Sequence, residues 1–225
     1  MRNDPNMDNF IEYSYFKDYD YLIGIDEAGR GPLAGPVFVG AVIIDSPSDL
    51  KLLSSLGKDS KALTPKEREK RYLLLKRDFN CLSYSSSPQL IDKINILKAT
   101  QIAMINLLKN AINGNPHKYF TLVDGKFFKL PYQYECIIKG DQKSHLIGAA
   151  SIIAKYERDI YMIDLHKVYP QYDFETNKGY PTKKHIENIR KFGIISEHRK
   201  TFNPIKQFLK HGILQEASEI NNQQC

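Results

Sequence analysis

The sequence predicts a single mixed α/β domain, with a mixed central sheet flanked by helices and a helical C-terminal extension. Apolar segments of strand length alternate along the chain with segments of helical periodicity. No repeat and no linker rich in Gly, Ser or Pro divides the 225 residues. The 42% of apolar residues are enough for one sizeable core. Strands and helices that alternate over one core favour the α/β class.

The first half of the predicted fold is a pair of strands, a helix and a third strand. Residues 21–26 and 36–44 are apolar, and the second of these segments is rich in β-branched side chains. The sequence Thr-Pro-Lys-Glu at residues 64–67 is a capping box with proline at the first helical position. It predicts a helix from Pro65 to about Arg77, and residues 81–86 are predicted to form the third strand.

The second half is predicted to contain long helices and two short strands. Apolar residues at helical spacing predict one helix from Gln89 up to the sequence Asn-Gly-Asn-Pro at residues 113–116. Strands are expected at residues 119–124 and 134–138. A long helix with small residues in its first turns is expected from Ser144 to about His166.

The C-terminal extension is predicted to contain two shorter helices. One is capped by Thr182 and stops before Gly193, and the other runs over residues 204–217. We interpret residues 18–217 as the folded domain. The segments outside it are interpreted as a flexible N-terminal leader and a frayed tail, namely residues 1–17 and 218–225.

Charge and composition restrict the kind of partner and compartment. The net charge of +6 favours an anionic partner such as nucleic acid, although it also fits a merely soluble protein. Cys81, Cys136 and Cys225 lack the spacing of a zinc site or a disulfide framework, which indicates a reducing compartment. No apolar run has transmembrane length. We therefore expect a cytoplasmic protein with no membrane partner, and a monomer by default.

Four acidic residues come at or just after the ends of predicted strands. Asp26 and Glu27 end the first strand, Asp124 ends a central one, and Asp141 follows the last one. We call them the four acids. If the strand ends meet at one edge of the sheet, repulsion among these carboxylates requires cations, and Mg²⁺ prefers such oxygen ligands. Two such ions can activate water and stabilise the leaving oxygen in phosphodiester hydrolysis.

Each acid also has a simpler interpretation. Glu27 can face solvent, Asp124 can open an Asp-Gly turn, and Asp141 can cap the following helix. Side chains alternate along a regular strand, so Asp26 and Glu27 point to opposite faces unless the strand ends or becomes irregular there. The metal interpretation therefore depends on the joint placement of the four acids.

A glycine-rich loop over residues 29–36, here called the glycine loop, follows the acid pair. Gly29 and Gly31 allow the backbone to approach a ligand closely, and Arg30 between them can bind an anion. A tight turn between two strands is the alternative interpretation of these glycines. The neighbouring acids favour the ligand-binding interpretation.

Longer motifs in the chain resemble one known family, ribonuclease HII. The longest is Gly-Ile-Asp-Glu-Ala-Gly-Arg-Gly-Pro-Leu-Ala-Gly-Pro-Val at residues 24–37. Six shorter motifs continue the resemblance in order: Asp-Ser-Lys at 59–61, Val-Asp-Gly at 123–125, Lys-Gly-Asp at 139–141, Ala-Ala-Ser-Ile-Ile-Ala-Lys at 149–155, Gly-Tyr-Pro-Thr at 179–182 and His-Arg-Lys-Thr-Phe at 198–202. The resemblance covers the chain from about Tyr21 to Phe202.

This resemblance implies a ribonuclease H-like fold and an endonuclease that cuts the RNA strand of RNA/DNA hybrids. It also implies incision of duplex DNA 5′ of embedded ribonucleotides, leaving 5′-phosphate and 3′-hydroxyl ends, with roles in ribonucleotide removal and RNA primer processing. In the family, the positions that match Asp26, Glu27, Asp124 and Asp141 bind Mg²⁺ or Mn²⁺. The resemblance and the chemistry of the residues thus lead to the same four acids.

The resemblance further implies a set of substrate-binding residues. Gly29, Arg30 and Gly31 match the loop that reads the ribose 2′-hydroxyl, the group that distinguishes RNA from DNA. Tyr180 matches a tyrosine that packs on the sugar at the junction of ribose and deoxyribose. Without the resemblance, a half-buried aromatic residue beside a helix start is the simpler interpretation of Tyr180.

Two other pairs of residues are expected to contact the nucleic-acid backbone. Ser60 and Lys61 match a family segment with this role, and a solvated loop is the alternative. His198 and Arg199, near the C-terminal helices, are expected to act in the same way.

Three alternatives to ribonuclease HII stay open at the level of the sequence. Ribonuclease HIII is a related enzyme that usually has a longer N-terminal substrate-binding domain, whereas 20 residues precede Tyr21 here. A non-catalytic nucleic-acid-binding module with structural acids would need no metal. A metal-dependent phosphatase for small esters would also suit strand-end acids, but the basic net charge and the glycine loop favour a polymer.

Overall fold

The computed structural model of the protein describes residues 10–56 and 63–213. In this part of the chain a five-stranded mixed sheet has the order β3-β2-β1-β4-β5. The neighbours β1, β2 and β3 are antiparallel, whereas β4 pairs parallel with β1 and β5 parallel with β4. The strands are β1 (Tyr21–Ala28), β2 (Val37–Ile44), β3 (Asn80–Ser86), β4 (Tyr119–Asp124) and β5 (Tyr134–Ile137). The predicted mixed α/β fold is confirmed.

Helices cover the sheet and build the C-terminal extension. They are α1 (Asp49–Ser55), α2 (Pro65–Asp78), α3 (Pro88–Ile94), α4 (Ile96–Ala111), α5 (Gly140–Lys143), α6 (His145–Val168), α7 (Phe174–Asn177), α8 (Lys183–Phe192) and α9 (Ile205–Lys210), with 3-10 helices at Ile11–Lys17, Pro116–Lys118 and Pro170–Tyr172. The predicted capping box at the start of α2 is present. Within the described residues, no helix combines the length and the apolar character needed to cross a membrane.

The single helix predicted from Gln89 is in fact two helices, α3 and α4. Asn95 separates them with a φ of 72°, and its side-chain oxygen accepts a hydrogen bond from the Lys98 backbone N–H at 3.1 Å. Asparagine tolerates the left-handed backbone and is a favourable N-cap, so one residue can end a helix and begin the next. The apolar periodicity continues across this turn, which is why the pattern predicts one helix.

The long helix α6 lies in direct backbone contact with β1 and β2. A Cβ atom built on Gly24 would lie 2.6 Å from the backbone of Leu146, and one built on Gly40 would lie 2.5 Å from the carbonyl oxygen of Ala150. Glycines in the strands and small residues on the helix therefore permit this close approach. The contact fixes the first turns of α6 against the centre of the sheet.

Residues 10–17, which the sequence places in a flexible leader, are instead packed against the fold. Their 3-10 helix stacks Tyr15 on Phe120 of β4, with 4.6 Å between ring centroids. The side chain of Glu12 is fully buried. Burial of aromatic rings explains this packing, and the many polar residues around them conceal it in the sequence.

The C-terminal extension packs on the second half of α6 and on the glycine loop. One apolar cluster joins Leu33 and Ala34 of the loop to Met162 of α6 and to side chains of α7, α8 and α9. The last predicted helix ends at Lys210 within the described residues. Residues 1–9 of the predicted leader, residues 214–217 of the last predicted helix and the predicted tail at residues 218–225 lie outside the described residues.

Candidate active site

The sheet opens at the point where β1 carries its two acids. Pairing of β1 with β4 stops at Ile25, whereas its antiparallel pairing with β2 continues regularly to Ala28. Asp26 and Glu27 therefore lie on a strand that is paired on one side only. The sequence predicts that the strand ends or becomes irregular here. This is true of the pairing between β1 and β4 but not of the pairing between β1 and β2.

Asp26 is buried among other negative charges. Only 4% of its surface is exposed, and the Glu27 backbone N–H donates to its Oδ1 at 2.7 Å. Burial raises the pKa of Asp26 well above its ordinary value, and the charges of Glu27 and Asp124 raise it further, although the Ser151 side chain opposes this by hydrogen bonding. Three of the four acids thus share one electrostatic environment.

The remaining acid, Asp141, reaches the same edge through a sharp turn into α5. Lys139 has a left-handed backbone with φ 56°, and the next residue, Gly140, donates its N–H to Asp124 Oδ1 at 2.6 Å. Asp141 follows immediately and is 3% exposed. It does not cap α6, because Ser144 does so, accepting the N–H of Ile147 at 3.0 Å.

The four acids suit a divalent cation without forming a complete cage for one. In residues 10–56 and 63–213, no three His, Cys, Asp or Glu side chains are grouped closely enough to hold a metal ion by themselves. All the donors are carboxylates, and the charged form of Asp26 is disfavoured by its surroundings. A hard cation that keeps water molecules and takes oxygen ligands from a substrate fits such a site.

Two buried arginines hold the glycine loop by donating hydrogen bonds to its backbone carbonyls. Arg199 is 0% exposed and donates to the carbonyl oxygens of Gly29 at 2.7 Å, Arg30 at 3.0 Å and Gly35 at 2.7 Å. Arg158, which is 1% exposed, donates to three further carbonyl oxygens, those of Ala34, Pro36 and Lys178. Burial lowers the pKa of Arg199 to about 9, and the like charge of Arg158 contributes to this.

Backbone hydrogen bonds join the same loop to the C-terminal extension. Leu33 donates its N–H to the Gly179 carbonyl at 2.8 Å and accepts from the Arg199 N–H at 2.8 Å. Gly35 donates to the Glu197 carbonyl at 2.9 Å. The conformation of the loop is therefore fixed by residues that lie far from it in the sequence.

The two glycines of the predicted Gly-Arg-Gly set have different roles. Gly29 has φ +92°, and a Cβ atom there would collide with the Arg158 side chain, so its conformation requires glycine. Gly31 has no such φ, and a Cβ atom there would meet only the Tyr180 ring at 3.8 Å. The turn interpretation accounts for Gly29, whereas Gly31 leaves open space in front of Tyr180.

A cavity of about 310 Å³ lies beside the glycine loop, and one of the four acids, Glu27, lines it. It is lined by Glu27, Ala28, Gly29, Arg30, Gly31, Ser151, Lys155 and Tyr180. The Arg30 guanidinium, 44% exposed, forms an ion pair with Glu27 at 3.1 Å, and Tyr180 is 43% exposed. The structure thus brings the predicted loop residues, Tyr180 and one of the acids into a single cavity. A larger cavity of about 600 Å³ along α2 contains none of these residues.

Sequence reasoning did not assign a role to two residues of this cavity, Ser151 and Lys155. They are four residues apart on α6 and so share one helix face. Lys155 Nζ lies 2.5 Å from Asp159 Oδ1, while burial lowers the pKa of the lysine. The spacing of a hydroxyl and a lysine within the small-residue motif is the signal that was available.

The two pairs of residues that are predicted to contact the nucleic-acid backbone have different outcomes. Ser60 and Lys61 lie outside the described residues. The prediction for His198 and Arg199 is wrong, because they are 1% and 0% exposed and cannot reach a nucleic acid. Inside the protein, His198 accepts the Ile195 backbone N–H and faces His185, while Arg199 donates to backbone carbonyls.

A pair of buried histidines supports Tyr180 from the interior. His198 Nε2 lies 3.3 Å from His185 Nε2, and His185 Nδ1 lies 2.8 Å from the Tyr180 carbonyl oxygen. Burial, reinforced by the neighbouring His185, lowers the pKa of His198 to about 3. The pair is therefore uncharged at neutral pH, and it positions the backbone beside the cavity.

Comparisons with known proteins relate the chain to nucleases. The Ribonuclease HII family model matches residues 23–205. Over 209 residues the chain is 42% identical to Ribonuclease HII of Thermotoga petrophila, which covers 93% of this chain and 84% of that relative. The crystal structure of the ribonuclease H2 from Pyrococcus horikoshii has a TM-score of 0.72 at 26% identity, covering 85% of this chain and 98% of that one. Bst-RNase HIII, solved in complex with Mn²⁺, shares the fold with a TM-score of 0.67 at 18% identity, covering 87% and 71% of the two chains.

Proposed function

Since the chain belongs to the ribonuclease HII family and is a ribonuclease H endonuclease for RNA/DNA hybrids, we propose that its four acids carry the reaction with divalent metal ions. The observation that carries this proposal is the common environment of Asp26, Glu27 and Asp124 beside the cavity of the glycine loop. Membership of this family argues against the two alternative functions, a non-catalytic binding module and a small-ester phosphatase. It also favours type HII over type HIII.

The proposed metal ligands are the carboxylates of Asp26, Glu27, Asp124 and Asp141. Bound Mg²⁺ or Mn²⁺ would supply an activated water molecule and charge stabilisation for in-line hydrolysis of a phosphodiester. The protein's own contribution is to hold the carboxylates in place, with Asp124 fixed by the Gly140 N–H at 2.6 Å. The Mn²⁺ in the structure of Bst-RNase HIII is consistent with this choice of cation.

The cavity beside the acids is the proposed site of substrate recognition. The open space at Gly31 would admit the ribose with its 2′-hydroxyl, and Arg30 and Lys155 would bind neighbouring phosphates as cations. Tyr180 would pack on the adjacent sugar. The family resemblance supports incision 5′ of a ribonucleotide, with 5′-phosphate and 3′-hydroxyl ends, and a role in ribonucleotide removal and RNA primer processing.

The proposed working state is a cytoplasmic monomer bound to an RNA/DNA hybrid or to duplex DNA that contains a ribonucleotide. Within the described residues, Cys81 and Cys136 are thiols outside any disulfide, which supports a reducing compartment.

A cleavage assay on duplex DNA with one embedded ribonucleotide tests this proposal. Metal-dependent incision 5′ of the ribonucleotide is expected, with no cutting of an all-DNA duplex. Asp124→Asn keeps an oxygen acceptor for the Gly140 N–H but removes the charge, so the variant should fold and lose at least about 100-fold in activity. The matched control is Asp164→Asn, which changes a 60% exposed acid of α6 paired with Lys167.

The outcomes of this assay are distinct. Loss of incision in Asp124→Asn but not in Asp164→Asn supports the proposed metal site. Equal activity of the wild type and Asp124→Asn would overturn it. Metal-dependent cutting of the all-DNA duplex as well as the ribonucleotide-containing duplex would overturn the proposed role of the cavity and leave the metal site intact.

A further inference from the structure

We infer that Glu12 is a positioning residue that holds two of the proposed metal-binding acids in place, an inference that rests on the metal site proposed above. Glu12 lies in the 3-10 helix ahead of β1, in the segment that the sequence interprets as a leader. Its side chain is 0% exposed. A fully buried carboxylate in such a segment calls for a specific reason, because burial of a charge is costly.

Within the described residues, the side-chain hydrogen bonds of Glu12 are made at the start of α6. Its Oε1 accepts hydrogen bonds from the Ser144 hydroxyl at 2.6 Å and from the Leu146 backbone N–H at 3.1 Å. The N-terminus of a long helix favours an anion, and α6 has 24 residues. Glu12 therefore ties the N-terminal segment to one point of the fold.

The start of α6 is connected directly to the edge of the sheet that carries the four acids, here called the acid edge. Ser144 donates its backbone N–H to the Gly140 carbonyl at 2.8 Å, which closes the short helix α5 around Asp141. Gly140 in turn donates its N–H to Asp124 Oδ1 at 2.6 Å. A continuous path of short hydrogen bonds thus runs from Glu12 through Ser144 and Gly140 to Asp124.

The two oxygens of Glu12 differ in their contacts. Oε2 is buried and accepts no hydrogen bond from the described part of the chain. Oε1 alone therefore holds both the Ser144 hydroxyl and the first turn of α6. Substitution of this one side chain is expected to release both groups.

The helix α5 has only four residues and needs such support. Without Glu12 the Ser144 hydroxyl loses its buried acceptor, and the link between α5 and α6 loosens. Asp141 and Asp124 would then be held less firmly in the geometry that the cation requires. Loss of groups that orient metal ligands typically weakens metal binding by about 10- to 100-fold.

The test measures Mn²⁺ binding to the full chain without substrate, by electron paramagnetic resonance, alongside the Mn²⁺ concentration that gives half-maximal cleavage. Glu12→Ala should weaken Mn²⁺ binding by about 10- to 100-fold and raise the half-maximal concentration equally, with little change in KM for the nucleic acid. Glu12→Asp keeps the charge but is too short to reach both donors, so it should lose affinity as well. Glu12→Gln keeps an acceptor oxygen and should bind Mn²⁺ most nearly like the wild type.

The matched control is Tyr15→Phe. It removes the hydrogen bond from the same 3-10 helix to Glu135, at 2.5 Å, but keeps the aromatic ring and the hydrogen bonds of Glu12 to Ser144 and Leu146. Tyr15→Phe should bind Mn²⁺ like the wild type. Thermal unfolding of each variant shows whether it is folded at the assay temperature.

The outcomes separate this inference from the proposed metal site. If a folded Glu12→Ala, or a folded Glu12→Asp where the alanine variant does not fold, binds Mn²⁺ as tightly as the wild type, the inference is overturned. Equal weakening by Tyr15→Phe would also overturn it, since the effect would then be general loosening of the segment. If Asp124→Asn binds Mn²⁺ as tightly as the wild type, the proposed metal site itself fails.

Discussion

The acid edge and the glycine loop lie side by side, but they reach electrostatic balance in opposite ways. At the acid edge, Asp26, Glu27 and Asp124 share one environment, and the pKa of Asp26 is raised by burial and by the other two. Beneath the loop, Arg158 and Arg199 are buried as well, yet their guanidinium groups donate to backbone carbonyls of the loop and its neighbours. The arginines beneath the loop thus find their hydrogen-bond acceptors within the protein, whereas the repulsion among the acids calls for a cation from outside.

This difference shows which part of the site favours folding and which part favours ligand binding. Buried donors that satisfy backbone acceptors stabilise the folded state. Buried acids that repel one another destabilise it until a cation arrives, and the binding of that cation then stabilises the protein. Substitutions in the two regions are therefore expected to move stability in opposite directions.

The largest expected effect on activity comes from Asp26→Asn. The amide keeps an acceptor for the Glu27 N–H but removes the charge that the cation requires. Activity should fall by about 1,000-fold or more, because the site loses several kcal/mol of charge stabilisation. The metal-free variant should nevertheless be more stable than the metal-free wild type at neutral pH, as measured by urea unfolding.

The pH dependence of that stability difference has a definite sign. Because the pKa of Asp26 is raised in the folded state, its stability contribution is fully present below the ordinary carboxyl pKa of about 4 and is lost as pH rises through the raised value. Asparagine does not titrate, so the two proteins should be similarly stable in acid and diverge as pH rises. A wild type that stayed the more stable of the two at neutral pH without metal would contradict the comparison.

The largest expected effect on stability comes from Arg199→Ala. It leaves the carbonyl oxygens of Gly29, Arg30 and Gly35 without their buried donor, which should cost about 3 kcal/mol. Equilibrium unfolding in urea measures this change. The control is Arg190→Ala, an exposed arginine that packs over the Phe208 ring at 4.9 Å and should cost far less. Similar losses in both variants would mean that the loop does not depend on its buried donor.

Two substitutions with smaller expected effects test whether Gly29 serves the backbone conformation of the loop and Gly31 serves access to the cavity. Gly29→Ala forces an L-residue into φ +92° and against Arg158, which should cost roughly 1 to 3 kcal/mol of stability. Gly31→Ala should leave stability within about 0.5 kcal/mol. By filling the space before Tyr180, it should still lower kcat/KM on a ribonucleotide substrate by up to about 100-fold. Equal stability losses in the two variants would show that Gly31 also serves the turn.

Much of this arrangement follows from local sequence. The acids end or follow strands that apolar runs predict, and the capping residues Thr64, Ser144 and Thr182 mark helix starts that the structure contains. Short-range signals of this kind fix the edge of the sheet. The roles of the individual acids remain a proposal, because they depend on distances between strands.

Two of the features that sequence reasoning missed, the roles of Arg199 and Glu12, depend on distant contacts. Arg199 looks like one of many surface cations in the sequence, and only its hydrogen bond to Gly29, 170 residues away, reveals its burial. Glu12 resembles any acid of a polar segment until Ser144, 132 residues away, is placed beside it. Asn95 interrupts a helix without interrupting its apolar pattern. Charge and periodicity do not carry such information.

The bonds between the glycine loop and the C-terminal extension also set an order of assembly during synthesis. A nascent chain acquires its four acids by residue 141, long before Glu197 and Arg199 emerge to hold Leu33 and Gly35 in position. Since a domain folds as a unit, the loop cannot be fixed until these C-terminal residues are available. An interrupted translation product that stops short of residue 197 would therefore carry the four acids without the bonds that hold the glycine loop.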